Sequence, residues 1–292
     1  MKKLLNILKF ILNHPIGKKR KFKTFFRFLK WQIFSKVFDY KVIVPYVANS
    51  KLILKKSLHS ATANYYVGLQ EFEEMAFTLH LLNKNDIFCD IGANIGIYTI
   101  LASKIKFAKT YSFEPIKETF FYLKNNVVLN EIENIVVLNN FALGYKSGQI
   151  KFTTDLDSEN HVLTDNSNSF YEVKIEKLDN ILNEIPILMK LDVEGFEYYV
   201  LKGAENLLLD KNLKAIIIEI NGSSKRYGIE EDLIQKLLTD KGFKIYSYLP
   251  IEKEFIEKKS YKNGNNIYIR DIDFVKNRVN SSEKIVIYDT KI

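Results

Sequence analysis

The stretch Phe88-Cys89-Asp90-Ile91-Gly92-Ala93-Asn94-Ile95-Gly96-Ile97-Tyr98-Thr99 decides the fold. An apolar run ends at Asp90, a turn with two glycines follows, and an amphipathic helical pattern then begins. Gly92 would let the backbone approach a ligand closely, and Gly96 would let the start of the helix pack against the sheet. The ligand would lie beyond the carboxyl end of this strand, where doubly wound sheets have their binding crevice.

Strand and helix patterns alternate through most of the chain. Strands are predicted at 87–91, 109–113, 134–138, 187–191, 215–220, 243–248 and 266–270, and helices at 96–105, 116–130, 197–209 and 230–241. This alternation predicts an α/β fold with a doubly wound, mostly parallel sheet. Pro, Lys and Gly-Asn, rather than a helix, join the last two strands, which predicts an antiparallel hairpin at the sheet edge.

The basic residues are concentrated at one end. The net charge is +8, and residues 1–36 carry eleven Lys or Arg and no acid, whereas the remainder carries 32 basic and 35 acidic side chains. Two apolar sets recur there at helical spacing, separated by His14-Pro15-Ile16-Gly17. We therefore expect two short basic amphipathic helices. Nucleic-acid binding is the weakest interpretation of them, because no groove-reading motif accompanies the charge, and two others stay open. The helices bind an anionic membrane surface, or they pack on the main domain or a second subunit.

These patterns divide the chain into four parts. Residues 1–40 are predicted as the basic helical extension, 41–82 as a β-hairpin and helix leading into the core, 83–272 as the main domain and 273–292 as a C-terminal tail. No apolar stretch approaches the ~18–20 residues that span a bilayer. The one cysteine, Cys89, is expected to be a buried strand residue. The expected location is the cytoplasm, with peripheral attachment to the inner face of the membrane as an option.

The spacing of the glycines favours one class of cofactor. A dinucleotide site needs G-x-G-x-x-G, but here the pattern is Gly92-x-x-x-Gly96, preceded by Asp90. A carboxylate repels a pyrophosphate but attracts a sulfonium and an α-ammonium group. The turn, with Asn94 inside it and Tyr98 beside it, therefore indicates S-adenosylmethionine rather than NAD.

A second acid supports this interpretation. Glu114 ends the next strand, 24 residues after Asp90, and a carboxylate there can accept hydrogen bonds from both ribose hydroxyls. The third strand leads to Phe141 and Ala142, which are placed to line the adenine face. Core packing and a turn are the alternative for these two residues.

Several of these motifs resemble the FkbM-type methyltransferases. They are Asp90-Ile91-Gly92-Ala93-Asn94-Ile95-Gly96, Phe113-Glu114-Pro115, Ala142-Leu143-Gly144, Lys190-Leu191-Asp192-Val193-Glu194-Gly195-Phe196-Glu197 and Val200-Leu201-Lys202-Gly203-Ala204, within a match over about residues 60–270. Phe196 stands where a smaller residue is common. The resemblance implies a seven-stranded class I methyltransferase sheet and O-methylation of hydroxyls on natural products, glycans or related molecules, without fixing the acceptor.

Acidic residues at the ends of two further strands are the catalytic candidates. Asp192 and Glu194 follow the fourth strand, and Glu219 lies at the end of the fifth. Because neighbouring strands lie ~4.8 Å apart, these carboxylates should converge on one rim. Asp192 or Glu194 is the predicted base for the acceptor hydroxyl, and Asp192 with Glu219 could instead hold Mg or Mn. Alternatively, these acids have a structural role. Glu194 would lie at the start of a helix, where a negative charge interacts favourably with the helix dipole, and Glu197 would be exposed to solvent.

The remaining predictions concern the acceptor. His161, in the polar stretch 155–169, is a further catalytic candidate near the rim, and the resemblance supports it. A surface polysaccharide or a lipid-linked intermediate is the leading acceptor class, through the resemblance alone. A nucleic-acid N-methyltransferase is disfavoured, since no Asp/Asn-Pro-Pro-aromatic run follows the fourth strand. A small-molecule methyltransferase and a membrane-attached, non-catalytic binding module stay as alternatives, and an oligomer is allowed.

Overall fold

The computed structural model describes residues 2–38, 40–153, 161–163 and 170–292. Its strands are β1 (Val42–Pro45), β2 (Lys51–Leu54), β3 (Ile87–Ile91), β4 (Lys109–Phe113), β5 (Val136–Asn139), β6 (Ala142–Leu143), β7 (Gly148–Thr153), β8 (Phe170–Glu176), β9 (Leu188–Leu191), β10 (Ala215–Ile220), β11 (Lys244–Leu249), β12 (Glu254–Lys258), β13 (Gly264–Ile269), β14 (Val286–Ile287) and β15 (Thr290–Lys291). Its helices are α1 (Lys2–Asn13), α2 (Pro15–Lys19), α3 (Lys21–Val37), α4 (His59–Val67), α5 (Phe72–Leu81), α6 (Ile97–Ile100), α7 (Lys117–Leu129), α8 (Glu197–Lys202), α9 (Glu205–Leu209), α10 (Asp232–Asp240) and α11 (Ile272–Asn280).

The central sheet confirms the predicted mixed, mostly parallel architecture. Its order is β12-β11-β13-β10-β9-β3-β4-β5, and the five strands from β10 to β5 are parallel. The chain proceeds outward from β3 through β4 to β5, and from β9 to β10 in the other direction. The strand order therefore reverses between β3 and β9, which is where a doubly wound sheet opens its ligand crevice.

The edge of the sheet differs from the prediction in two details. The sheet has eight strands rather than seven, because β12 pairs antiparallel with β11 at the edge. The neighbours β11 and β13 are antiparallel as expected, but β13 lies inside the sheet, between β10 and β11. The sequence pattern missed β12 because its side chains are mostly exposed, so it lacks the apolar run of a buried strand.

Alternating residues of the strands pack on opposite faces of the sheet. Phe88, Leu188 and Ile217 belong to one buried cluster, which includes residues of α5, α6 and α11. Their chain neighbours Cys89 and Met189 belong to the other, which includes residues of α8, α9 and α10. Because side chains alternate along a strand with a period of two residues, neighbouring strand residues pack against different layers of helices.

Residues 2–37 form three helices rather than two. The sequence His14-Pro15-Ile16-Gly17, predicted to break the helix, starts α2, because proline suits the first helical turn and the Ile16 N–H donates to His14 Nδ1 at 3.3 Å. In α3, Phe28 and Trp31 are buried. No helix in the described ranges is both long and apolar enough to cross a membrane.

Smaller elements pack around the central sheet. The hairpin β1–β2 is held to α7 by two side chains, since the Lys51 and Ile53 N–H groups donate to Asn130 Oδ1 and Asn126 Oδ1 at 2.8 and 3.0 Å. A three-stranded sheet, β6-β8-β7, follows β5. The region predicted as a C-terminal tail contains α11, with Val275 buried, and the pair β14–β15.

Candidate active site

A cavity of about 580 Å³ opens at the carboxyl ends of β3, β4, β9 and β10. It lies beside the point where the strand order reverses, as expected for this fold. Eight of the residues predicted from the sequence line it: Gly92, Asn94, Glu114, Phe141, Ala142, Asp192, Glu194 and Glu219. The structure therefore brings the predicted cofactor turn and the predicted acidic rim to one cavity.

Glu114 is tied to the turn after β3. Its carboxylate accepts hydrogen bonds from the Asn94 N–H at 3.0 Å and the Ile116 N–H at 2.9 Å. A carboxylate has about four lone-pair sites, so each oxygen retains room for a hydroxyl donor from the cavity. Burial raises the pKa of Glu114 to about 7, although the two backbone N–H groups oppose the shift. The side chain is thus fixed in place beside the cavity before any ligand binds.

Asp90 lies at the predicted end of its strand, and its contact with a cofactor stays a prediction. Its side chain is fully buried and is not among the described residues that line the cavity. Asp90 lies two residues from Phe88 and so points to the same face of the sheet, where its Oδ2 accepts from Thr99 Oγ1 at 2.7 Å. Its Oδ1 has no hydrogen-bond partner within the described ranges. Burial raises its pKa, and the nearby Lys190 charge opposes this.

Tyr98 also lies beneath the cavity rather than in its wall. Its hydroxyl donates to Glu71 Oε2 at 2.6 Å, and its ring centroid is 5.0 Å from Lys190 Nζ. The Tyr98 side chain is buried. Its predicted place beside the turn is correct, but its contacts are with a buried polar cluster.

The two glycines of the turn serve close packing between parts of the protein. A Cβ on Gly92, where φ is +76°, would lie 1.8 Å from the Asp192 carbonyl oxygen. A Cβ on Gly96, where φ is +89°, would lie 2.6 Å from Leu123 Cδ1 of α7. Gly92 lines the cavity as predicted, yet the close approach that demands glycine there is to the loop after β9. Gly96 packs on α7 and not on the sheet.

Lys190 and Glu71 contact predicted site residues, Asp192 and Tyr98 respectively, although the sequence patterns assigned them no role. Lys190 is 4% exposed, and its Nζ donates to Asp192 Oδ2 at 2.8 Å. Burial alone would lower the pKa of Lys190, but the charges of Asp192, Glu71 and Asp90 raise it above its ordinary value. Burial raises the pKa of Glu71. The buried ammonium group of Lys190 therefore interacts electrostatically with three surrounding carboxyl groups, those of Asp192, Glu71 and Asp90.

The acidic rim has the convergence that the strand ends predict. One carboxylate oxygen from each of Asp192, Glu194 and Glu219 lies within 4.8 Å of the others. Burial, and then the charges of Asp192 and Glu194, raise the pKa of Glu219 to about 8. Such a cluster can hold a proton, attract a cationic ligand, or supply oxygen ligands to a divalent ion.

The loop that carries Asp192 and Glu194 is closed by Glu197. Its Oε1 accepts from the Val193 N–H at 2.9 Å and the Gly195 N–H at 3.2 Å. The expectation of a solvated Glu197 is wrong, because the side chain is 2% exposed. Burial raises its pKa to about 7. Glu197 thus shapes the rim without lining the cavity.

Aromatic side chains form another wall. Phe141 and Ala142 line the cavity, as does Phe196, and the Phe141 ring lies edge-on to Phe113 with centroids 5.7 Å apart. Phe196 packs against Tyr199 at 4.7 Å between ring centroids. A flat apolar wall of this kind suits a nucleobase.

The role predicted for His161 stays a prediction, and the structure places this residue beside β7. Its backbone pairs with Thr153 at the end of β7, through N–O contacts of 3.0 and 3.1 Å. Neighbouring Phe152 lines the cavity, but His161 is not among the described residues that do. Most of the polar stretch 155–169 lies outside the described residues.

Helices outside the predicted main domain complete the cavity. Asn6, Ile7 and Phe10 of α1 line it, together with Tyr66 of α4 and Gln70. Their contribution could not be foreseen, because contacts between segments that are far apart in the chain leave no local pattern. These walls explain how a shallow crevice at the sheet edge becomes a cavity.

Two related proteins match over more than half of this chain. Hexuronic acid methyltransferase AglP of Haloferax volcanii is 28% identical over 174 residues, which are 58% of this chain and 68% of AglP. Methyltransferase sdnD of Sordaria araneosa is 26% identical over 219 residues, which are 62% of this chain and 82% of sdnD.

Solved structures show further similarity. The crystal structure of methyltransferase FkbM from Methylobacillus flagellatus KT has a TM-score of 0.46 and 18% identity, covering 75% of this chain and 56% of that one. This chain thus spans a little over half the length of that structure. Residues 90–245, more than half of the chain, match the model of the methyltransferase FkbM domain. The chain therefore belongs to the FkbM methyltransferase family.

Proposed function

We propose that this methyltransferase uses S-adenosylmethionine to methylate a hydroxyl group of a sugar or glycan. One observation carries the proposal: a single cavity joins an anchored carboxylate, Glu114, to a rim of three clustered carboxylates. Glu114 would accept the ribose hydroxyls. The rim would face the positive end of the cofactor, with which carboxylates interact favourably.

The apolar wall supports the orientation of the cofactor. Phe141 and Ala142 lie on the side of Glu114, since the Phe141 ring contacts Phe113 and Asn140 Nδ2 donates to the Glu114 carbonyl at 2.8 Å. The adenine would pack there, and the methionine end would lie along Gly92 and Asn94. Asp90 would act indirectly, by holding the first helix after the turn through Thr99.

The acidic rim would accept the proton of the acceptor hydroxyl. S-adenosylmethionine supplies an activated methyl group. As the acceptor oxygen forms its bond to the methyl carbon and the carbon–sulfur bond breaks, the hydroxyl proton must pass to a base. Glu219 suits this role better than the Asp192 or Glu194 expected from sequence, because its raised pKa of about 8 is matched to proton transfer near neutral pH. Asp192 is paired with Lys190 and would orient the hydroxyl.

The acceptor class is supported by a relative. AglP is named for hexuronic acid methylation and matches 58% of this chain. The cavity volume of about 580 Å³ lies within the ~300–1,000 Å³ usual for small-ligand sites. A hydroxyl on a sugar therefore fits the proposal, and a small natural product is the second candidate acceptor.

The test separates binding from transfer. Calorimetry with S-adenosylmethionine should show at least ~10-fold weaker binding in Glu114→Gln, because the neutral amide accepts hydroxyl hydrogen bonds less strongly. The control is Glu118→Gln, an exposed residue of α7, which should bind like wild type. Glu219→Gln should bind the cofactor but lose methyl transfer to a sugar acceptor. Absence of binding by the wild-type protein would end the proposal.

The same rim offers a route through a metal. Asp192, Glu194 and Glu219 provide only oxygen ligands, which suit Mg or Mn. A divalent ion there would lower the pKa of the acceptor hydroxyl, so no protein base would be needed. Titration with Mn²⁺, followed by electron paramagnetic resonance, distinguishes the two routes. Tight Mn²⁺ binding by wild type that is lost in Glu219→Gln favours the metal route. Weak Mn²⁺ binding that is equal in wild type and Glu219→Gln excludes it.

A further inference from the structure

Helix α3 is apolar on two opposite sides. Its inner side packs on the protein through Phe28 and Trp31, which are 4% and 6% exposed. Its outer side carries Phe22, Phe26, Leu29, Ile33 and Val37, here called the apolar stripe, with exposures of 83, 65, 39, 59 and 67%. Steps of four, three, four and four residues place these five side chains on one line along the helix. A surface helix of a globular domain needs only the inner line.

Basic side chains flank the apolar stripe. A shallow surface cavity of about 480 Å³ is lined by Lys23, Phe26, Arg27, Lys30, Tyr65, Tyr288 and Asp289. Arg27 stacks on Tyr288, with its Cζ 3.6 Å from the ring centroid. Asp289 pairs with Lys23 at 3.2 Å, so the three cations of this cavity still exceed its one acid.

The charge of the whole N-terminal segment decides between possible occupants. Residues 1–36 carry eleven Lys or Arg and no Asp or Glu. A second copy of the same face would bring two such sets of cations together, which like-charge repulsion opposes. A bilayer with anionic lipids offers apolar depth for the stripe and negative charge for the cations.

We propose that α3 docks on the surface of a bilayer that contains anionic phospholipids. The helix lies in the interface plane, the apolar stripe enters the headgroup–acyl boundary, and Lys23, Arg27 and Lys30 meet headgroup phosphates. The attachment is peripheral. It depends on residues outside the cavity that holds the proposed methyl-transfer site, so the two proposals can fail separately.

The experiment is vesicle co-sedimentation of the full chain. The probes are vesicles of phosphatidylcholine alone and of phosphatidylcholine mixed with phosphatidylglycerol. We expect binding to the mixed vesicles and at least ~10-fold weaker binding to the neutral ones. High salt should weaken binding to the mixed vesicles, because it screens the lysines and arginines.

Two variants test the two parts of the surface. Phe26→Gln with Ile33→Gln should lower the affinity for mixed vesicles at least ~10-fold by removing apolar burial. Lys30→Gln should lower it about fivefold. The matched controls are Leu209→Gln, 62% exposed on α9, and Lys276→Gln, exposed on α11, and both should bind like wild type.

Three outcomes would overturn the proposal. One is absence of binding to mixed vesicles, and another is unchanged binding by the Phe26/Ile33 variant. The third is a wild-type protein that does not bind vesicles but forms a concentration-dependent dimer in sedimentation velocity, with the dimer abolished in the Phe26/Ile33 variant. The apolar stripe would then be a subunit interface. Circular dichroism and thermal unfolding of the same proteins show that each variant is folded, whatever ligand the cavity binds.

Discussion

Protonation of Glu219 should be coupled to the charge of the cofactor. Its pKa of about 8 means that the carboxyl is protonated in roughly three quarters of ligand-free molecules at about pH 7.5. A sulfonium at about 5 Å with an effective dielectric constant of ~20 contributes on the order of 3 kcal/mol, or about two pKa units. Partial exposure of Glu219 screens this charge and reduces the shift to about one unit.

Binding of S-adenosylmethionine should therefore release a proton, whereas S-adenosylhomocysteine, whose sulfur is neutral, should release much less. Calorimetry in buffers of different ionisation enthalpy counts the protons. The affinity for S-adenosylmethionine should rise by up to ~10-fold as the pH is raised through about 8, because deprotonated Glu219 attracts the sulfonium. Glu219→Gln should abolish the difference, and the exposed Glu230→Gln should retain it. Equal proton release by both ligands in wild type would refute the reasoning.

Three further predictions concern stability, each measured by denaturant unfolding without ligand. Lys190→Met should lower the free energy of unfolding by about 3–5 kcal/mol, because it leaves buried carboxylates unpaired, while the exposed Lys276→Met should have almost no effect. Gly92→Ala should cost more than Gly228→Ala, since both glycines have positive φ but only the Cβ at 92 meets a backbone atom; equal losses would contradict this. The pKa of Glu197 is raised from 4.5 to about 7, so its stabilising contribution is complete below about pH 4.5 and is lost as the pH rises through 7. Wild type should thus lose stability between about pH 4.5 and 7, and Glu197→Gln should lose less; the same slope in both would contradict the assignment.

Local patterns were sufficient for the parallel core. The strand, turn and helix around Gly92 depend on apolar runs and glycine positions within a dozen residues, and β3, β4 and β10 begin and end where the sequence predicts. Glu114 was predicted beside the ligand because its position at a strand end is also local. The edge strand β12 was not predicted, because most of its side chains are exposed to solvent and it lacks an apolar run.

The direction of a side chain was harder to predict than its position in the chain. Asp90 lies at the expected strand end, but the two-residue period of β3 turns it toward Thr99 of α6. Lys190 is on the neighbouring strand, paired with Asp90 in register, and faces the same way. The walls formed by Phe10 and Tyr66 depend on packing between distant segments, which composition and periodicity do not encode.

The central claim is that one cofactor spans Glu114 and the acidic rim. A crystal structure with S-adenosylhomocysteine tests it most directly. The claim predicts ribose hydroxyls within hydrogen-bond distance of the Glu114 carboxylate, with the sulfur turned toward Asp192 and Glu219. A ligand bound elsewhere, or one whose sulfur points away from that rim, would contradict it.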